Sequence, residues 1–218
     1  MPSDVAPADT ADQVHKLAGT IRDAYLIGVG RTLILVRHGE AERVGTGDRY
    51  DPHLSETGQS QAVAVAARLA AWKTSSHIEL FTSPRQRAAQ TAHAIGKGLG
   101  LTPEIEPRLS EVGGRGAPTA IRLPDTRAGL ARFEWGAPDK PFQPTAVAGI
   151  KATLERSSSE VVIAVTHGGV INAYVSHLLE LDCEFFFLPD HTSLTIARVL
   201  DGRVALDRLN DSGHLNRL

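Results

Sequence analysis

Thr32-Leu33-Ile34-Leu35-Val36-Arg37-His38-Gly39-Glu40 is the stretch from which the rest of the chain is read. From 32 to 36 it is uncharged, mostly apolar and without alternation. Such a run reads as a strand buried on both faces, in a parallel sheet covered by helices. The run stops abruptly at Arg-His-Gly, which cannot belong to that core. In open α/β sheets the carboxyl ends of strands are where ligands bind. An arginine there grips oxyanions with a planar fork of donors. A neutral imidazole beside it is a nucleophile near neutral pH. The pair suggests attack on a phosphoryl group.

Two further stretches repeat the pattern. Val161-Val162-Ile163-Ala164-Val165 is a second fully buried strand and stops at Thr166-His167-Gly168-Gly169. Ile78-Glu79-Leu80-Phe81 is shorter and ends in Thr82-Ser83-Pro84-Arg85-Gln86-Arg87, where Ser83 as N-cap and Pro84 as the first helical residue predict a helix start. Ser55 predicts another N-cap, for a helix running to about Trp72. Helical spacing also marks Ala88 to Leu99, Thr145 to about Arg156, and Val170 to Leu179. Gly96-x-Gly-x-Gly100 follows a helix rather than a strand, so it reads as a helix end. Thr102 to Glu106 reads as a third strand. Ser193–Leu200 and Val204–Leu209 straddle Asp201-Gly202 and read as a hairpin on the sheet edge, where a second copy could pair in a homodimer. This alternation predicts a three-layer α/β/α sandwich with a mostly parallel central sheet.

Outside these elements, residues 1–11 read as a disordered tail. Asp12 to about Ile27 has the spacing of an amphipathic helix. Residues 12–218 are taken as one domain. Within it the glycine- and proline-broken stretch 112–144 is an irregular insertion of the length expected for a lid.

The 218 residues suffice for one full core. A net charge of -2 provides no basic field, so nucleic acid is not an expected partner. No apolar run approaches the roughly 20 residues that span a bilayer, and the first residues lack the pattern of a secretory signal. The lone Cys183 excludes an internal disulfide and reads as a small packed residue beside Phe185-Phe186-Phe187. A reducing cytoplasm fits. His15, His53, His77, His93, His177, His191 and His214 lack metal-ligand spacing, so they read as surface or packing residues and no metal or other cofactor is expected.

If the three strands are parallel, their ends converge two imidazoles and two or three guanidinium groups on one spot, a natural seat for a phosphate dianion. Leu-Val-Arg-His-Gly-Glu at 35–40, Leu-Ser-Glu-Thr-Gly at 54–58, Thr-Ser-Pro-Arg-Gln-Arg-Ala-Ala-Gln-Thr-Ala at 82–92, Arg-Leu-Ser-Glu at 108–111 and Thr-His-Gly-Gly-Val-Ile at 166–171 together resemble the histidine phosphatase (phosphoglycerate mutase-like) superfamily. The resemblance runs from about Thr32 to Leu209. It implies a phosphohistidine formed through Nε2 of His38, with Arg37, Arg87 and His167 holding the phosphoryl oxygens. Arg87 fits the family's position better than Arg85. Glu111 would be the general acid, and its burial beneath the lid would favour the protonated form. Physical chemistry supports the nucleophile independently: nearby arginine charge disfavours the imidazolium and keeps His38 able to attack.

The implied activity is metal-independent hydrolysis of a small phosphate monoester. The alternatives are phosphoglycerate mutase-type transfer, a phosphohistidine or protein phosphatase, and a non-catalytic phospho-ligand module. After Arg-His-Gly the mutase branch usually has Glu-Ser-x-Trp-Asn. Here Glu40-Ala41-Glu42-Arg43-Val44 supplies neither the tryptophan nor the asparagine, which favours hydrolysis. Arg43, Thr46 and Arg115 are candidate substrate contacts, and Phe133, Trp135 and Phe142 are candidate pocket walls.

Overall fold

The computed structural model describes residues 30–42, 51–72, 77–111, 143–183 and 185–215. A six-stranded sheet runs in the order β3-β2-β4-β1-β5-β6. Its strands are β1 (Arg31–Arg37), β2 (Ile78–Thr82), β3 (Glu104–Ile105), β4 (Val161–Thr166), β5 (Leu194–Leu200) and β6 (Arg203–Asp211). β1 pairs with β4, β4 with β2 and β2 with β3, all parallel. The β5–β6 hairpin is joined to β1 by antiparallel pairing. Four of the six strands are therefore parallel, and the hairpin closes the other side of β1.

The unbroken apolar runs of β1 and β4 have a simple cause. Leu33, Leu35, Val162 and Ala164 face one core, shared with Ile150 of α3 (Gln143–Arg156) and Val170, Ile171 and Tyr174 of α4 (Gly168–Leu178). Ile34, Val36, Ile163 and Val165 face a second core, shared with Val65 and Leu69 of α1 (Glu56–Ala71) and Ala88, Ala92 and Ile95 of α2 (Gln86–Leu99). Successive strand residues point to opposite faces, and both faces are covered, so no polar position is tolerated. Burying each such valine, leucine or isoleucine contributes about 1.5–3 kcal/mol.

Several boundaries differ from the sequence reading. Ser55 does cap α1, its hydroxyl accepting from Gly58 N at 3.1 Å. Ser83, however, is not an N-cap, and α2 opens at Gln86 with Arg85 in the capping position. The Ser83 hydroxyl accepts from Arg85 N at 3.3 Å, two residues on, and also meets His167, 2.9 Å from Nε2, so it serves a local and a tertiary partner together. Gly100 ends α2 in the left-handed conformation (φ 73°), as a helix-end glycine should. β3 is only two residues long. Cys183 is exposed rather than packed; beyond the end of α4 it is Phe185 that turns inward and is buried. The tail 1–11, the helix at 12–27, and Arg43, Thr46, Arg115, Phe133, Trp135 and Phe142 lie outside the described residues. So does the 112–144 insertion, except that Gln143 and Pro144 open α3. Among the described residues no helix is long and apolar enough to cross a membrane.

Candidate active site

The carboxyl ends of β1, β4 and β2 lie side by side, with Arg37 opposite Thr166 and Thr82 opposite Val165. The next residues, His38, His167 and Ser83, therefore leave the sheet at one edge. Backbone bonds hold them there: His38 N donates to Thr166 O at 2.9 Å and Ser83 N to Val165 O at 3.0 Å. Arg87 reaches the same edge from the first turn of α2. All five residues expected at the site meet here.

Hydrogen bonding assigns the state of each imidazole. His38 Nδ1 lies 2.7 Å from Gly39 O. A carbonyl only accepts, so Nδ1 carries the proton and Nε2 the lone pair. That lone pair accepts from Arg87 Nε at 3.1 Å. His167 stands edge-on to His38, ring centroids 5.1 Å apart. Its Nδ1 is 3.3 Å from Arg87 Nη2, which can only donate, so His167 carries its proton on Nε2 and donates to Ser83 Oγ.

The remaining charges complete a cradle. Glu111 Oε2 is 3.5 Å from Arg87 Nη2 and 3.9 Å from His167 Nδ1. Its Oε1 accepts from Gly169 N, at the start of α4, at 3.2 Å, where a carboxylate complements the helix dipole. Leu109 is fully buried, and its carbonyl accepts from Thr166 Oγ1 at 2.7 Å, which fixes Glu111 two residues on. Arg37 Nη1 donates to Pro189 O. Its Nε is buried and has no hydrogen-bond partner among the described residues; an added oxyanion would satisfy it. A side chain at Gly168 would place its Cβ 3.5 Å from that Nε, so glycine keeps the arginine's surroundings open.

The Leu-Ser-Glu-Thr-Gly and Gln-Thr segments hold the loop that carries His38. Ser55 N donates to Glu40 O at 2.9 Å, and Ser55 Oγ to Glu40 Oε1 at 2.8 Å. A Cβ on Gly58 would lie 2.0 Å from Glu40 O, and one on Gly39 would lie 2.6 Å from Gly58 O. Only two glycines permit that approach. Thr91 Oγ1 accepts from Gly39 N at 3.0 Å and donates to Arg87 O at 2.8 Å. It thereby ties the loop of His38 to the helix that carries Arg87.

Burial is the largest influence on His38, followed by the charges of His167, Arg87 and Arg37; all hold its pKa well below 6.5. The expected direction is found, though desolvation leads and arginine charge follows. His167 is likewise held well below 6.5, by burial first and then by Arg87, Arg85 and Arg37. Both rings stay neutral in the folded protein, whereas in the unfolded chain they protonate as pH falls through about 6.5. The unfolded state then binds more protons, so stability is present above pH 6.5 and is lost below it. The melting temperature is expected to fall between about pH 7 and pH 5, and to fall less in His167→Gln. Equal slopes for the two proteins would show that the folded His167 protonates normally.

Sequence reasoning missed three neighbours. Asp51 Oδ1 accepts from Gln86 N at 2.9 Å and stands 3.9 Å from Arg87 Nη1. Ser83 contacts His167. His191, taken as a surface or packing histidine, has its ring centroid 5.9 Å from that of His38. For none of them does the local sequence differ from an ordinary polar loop. Among the described residues no group of three or more His, Cys, Asp or Glu is placed to hold a metal ion.

Comparison with known proteins agrees with this geometry. The chain is 25% identical over 217 residues to a metal-independent phosphoserine phosphatase of Arabidopsis thaliana, covering 84% of this chain and 83% of that one. A shorter segment of 76 residues is 38% identical to a 2,3-bisphosphoglycerate-dependent phosphoglycerate mutase of Bartonella tribocorum, covering 33% of this chain and 36% of the mutase. The fold superposes on a mycobacterial glucosyl-3-phosphoglycerate phosphatase solved with inorganic phosphate, with a TM-score of 0.65 and 26% identity over 84% of this chain and 99% of that one. The profile of the histidine phosphatase superfamily (branch 1) matches residues 33–212, and the chain belongs to that family.

Proposed function

We propose that the protein hydrolyses a small phosphate monoester through a phosphohistidine on His38, with Glu111 as general acid and base. One observation carries this reading. The deprotonated Nε2 of His38, Arg87 Nε and Nη2, and His167 Nδ1 share a single spot beside Glu111.

In the first half-reaction the Nε2 lone pair attacks phosphorus in line with the ester oxygen. The N–P bond forms and the P–O bond breaks. The ester oxygen keeps the electron pair and takes the proton of Glu111. Arg37 and Arg87 offset charge on the non-bridging oxygens. His167 holds one of them once that oxygen displaces Arg87 Nη2 and the ring proton shifts to Nδ1, leaving Nε2 to accept from Ser83 Oγ. Positioning and electrostatics supply most of the catalysis. A dianionic substrate draws Arg87 Nη2 to itself and away from Glu111 Oε2, 3.5 Å away. In the second half-reaction the Glu111 carboxylate removes a proton from water. The resulting oxygen attacks phosphorus, and the N–P pair returns to Nε2.

The relatives act on phosphoserine and glucosyl-3-phosphoglycerate, so a phosphorylated small metabolite is the expected substrate class. We assign the protein to the cytoplasm; the single cysteine supports that placement. The outer edge of β6 is where a second copy would pair, and sedimentation would detect it. Function is tested by phosphate release from p-nitrophenyl phosphate in the presence of EDTA, then from a panel of sugar phosphates, phosphoserine, phosphoglycerates and phosphopeptides. Turnover with release to water supports a hydrolase. Transfer to a second phosphoglycerate with no free phosphate would point to the mutase alternative, and no turnover of any ester would defeat the reading.

A further inference from the structure

A third imidazole stands at this edge. β4 and β5 flank β1 on opposite sides. His167 follows β4 and His191 precedes β5. The nucleophile's ring therefore lies between two others, with centroids 5.1 Å away on the β4 side and 5.9 Å away on the β5 side. Arg87 and Glu111 gather on the His167 side. On the other side His191 is half-exposed, and among the described residues neither of its ring nitrogens has a hydrogen-bond partner.

Its backbone is firmly held. Thr192 N donates to Arg37 O at 3.0 Å, and Arg37 N to Ser193 O at 3.3 Å. Asp190 N donates to Asn210 Oδ1 at 2.7 Å, and its carboxylate accepts from Asn210 Nδ2 and Ser212 Oγ. Thr192 adopts φ 58°, a left-handed conformation that costs a β-branched residue energy. It is kept there by these bonds and by contact of its hydroxyl with His214 Nε2 at 3.0 Å. A strained, well-anchored residue directly after His191 sets where that ring can point.

We propose that His191 is a further substrate-contacting residue, donating a ring N–H to the phosphoryl oxygen that points away from Arg87 and His167. The proposal rests on the phosphatase reading above. In-line attack by His38 spreads three non-bridging oxygens around the N–P axis. Arg87 and His167 gather on the β2–β4 side, away from the oxygen turned toward β5. Arg37, whose Nη1 is held by Pro189 O, reaches that side, and His191 joins it there as a neutral donor. Burial, then the charge of Arg37, hold its pKa down to about 4 against the opposing pull of Glu40 and Asp190. It therefore adds no cation to a pocket that already has two arginines.

The test compares inhibition of p-nitrophenyl phosphate turnover by orthovanadate and by inorganic phosphate in wild type, His191→Ala and His191→Asn. Alanine removes the donor and asparagine restores an N–H. The expected result is an inhibition constant raised about ten-fold in His191→Ala, and within about three-fold of wild type in His191→Asn. Melting temperatures should stay within about 3 °C of wild type, because the ring is half-exposed. Unchanged inhibition in His191→Ala, or equal weakening in both variants, would overturn the His191 role while leaving the phosphatase reading intact. A wild type that neither turns over nor binds either anion would overturn both.

Discussion

His38→Ala is expected to lower turnover of p-nitrophenyl phosphate by about four orders of magnitude or more. The substitution removes the atom that forms the covalent intermediate, and no neighbour can replace it. His167 is held at both ring nitrogens, Nδ1 by Arg87 Nη2 and Nε2 by Ser83 Oγ 2.9 Å away, which suits it to steady a phosphoryl oxygen rather than to attack phosphorus. The arginines would remain and would still bind phosphate, so inhibitor affinity should survive better than turnover. That split separates lost chemistry from lost folding. Rapid-quench labelling with a 32P ester should give an acid-labile, base-stable phosphoprotein in wild type and none in His38→Ala. Comparable turnover in the variant would exclude His38 as the nucleophile.

Glu111→Gln is expected to divide substrates by leaving group. An alkoxide leaves poorly and needs its proton as the P–O bond breaks, so an alkyl phosphate should lose about 10²–10⁴-fold in kcat/KM. Nitrophenolate leaves readily without one, so the first step on p-nitrophenyl phosphate should slow far less. Any residual slowing there would come from the second step, where Glu111 activates water, and would appear as a burst of nitrophenol followed by slower turnover. Glutamine keeps the shape that accepts from Gly169 N, 3.2 Å away in the wild type, so the start of α4 should stay in place. Equal losses on the two ester types without a burst would remove Glu111 from the proton-transfer role.

Much of this protein was legible before any coordinates. The runs at 32–36 and 161–165 show their two-sided burial because strand period and apolarity are local properties. Their abrupt ends at Arg-His and Thr-His show where the chain leaves the sheet, because a charge or an imidazole cannot continue a core. The same locality gave a false reading at Ser83-Pro84. The dipeptide is a sound helix start by its own chemistry, yet the helix opens three residues after Ser83, whose hydroxyl is shared between Arg85 N and His167. Cys183 failed in the same way: the side chain that turns inward beyond α4 is set by space left in the core, and Phe185 fills it.

The amino-acid order by itself determined the α/β layering and the strand ends at which Arg37, His38 and His167 leave the sheet. Those follow from spacing, polarity and turn chemistry within a few residues. Only the tertiary structure decided which nitrogen of His38 is free, that Arg87 reaches it, and that His191 stands on its far side. Each of these depends on partners from distant strands, as Arg87 and His38 are 49 positions apart and Arg87 and His167 are 80. Hydrogen-bond direction and burial are properties of the assembled sheet edge, and no single segment contains them.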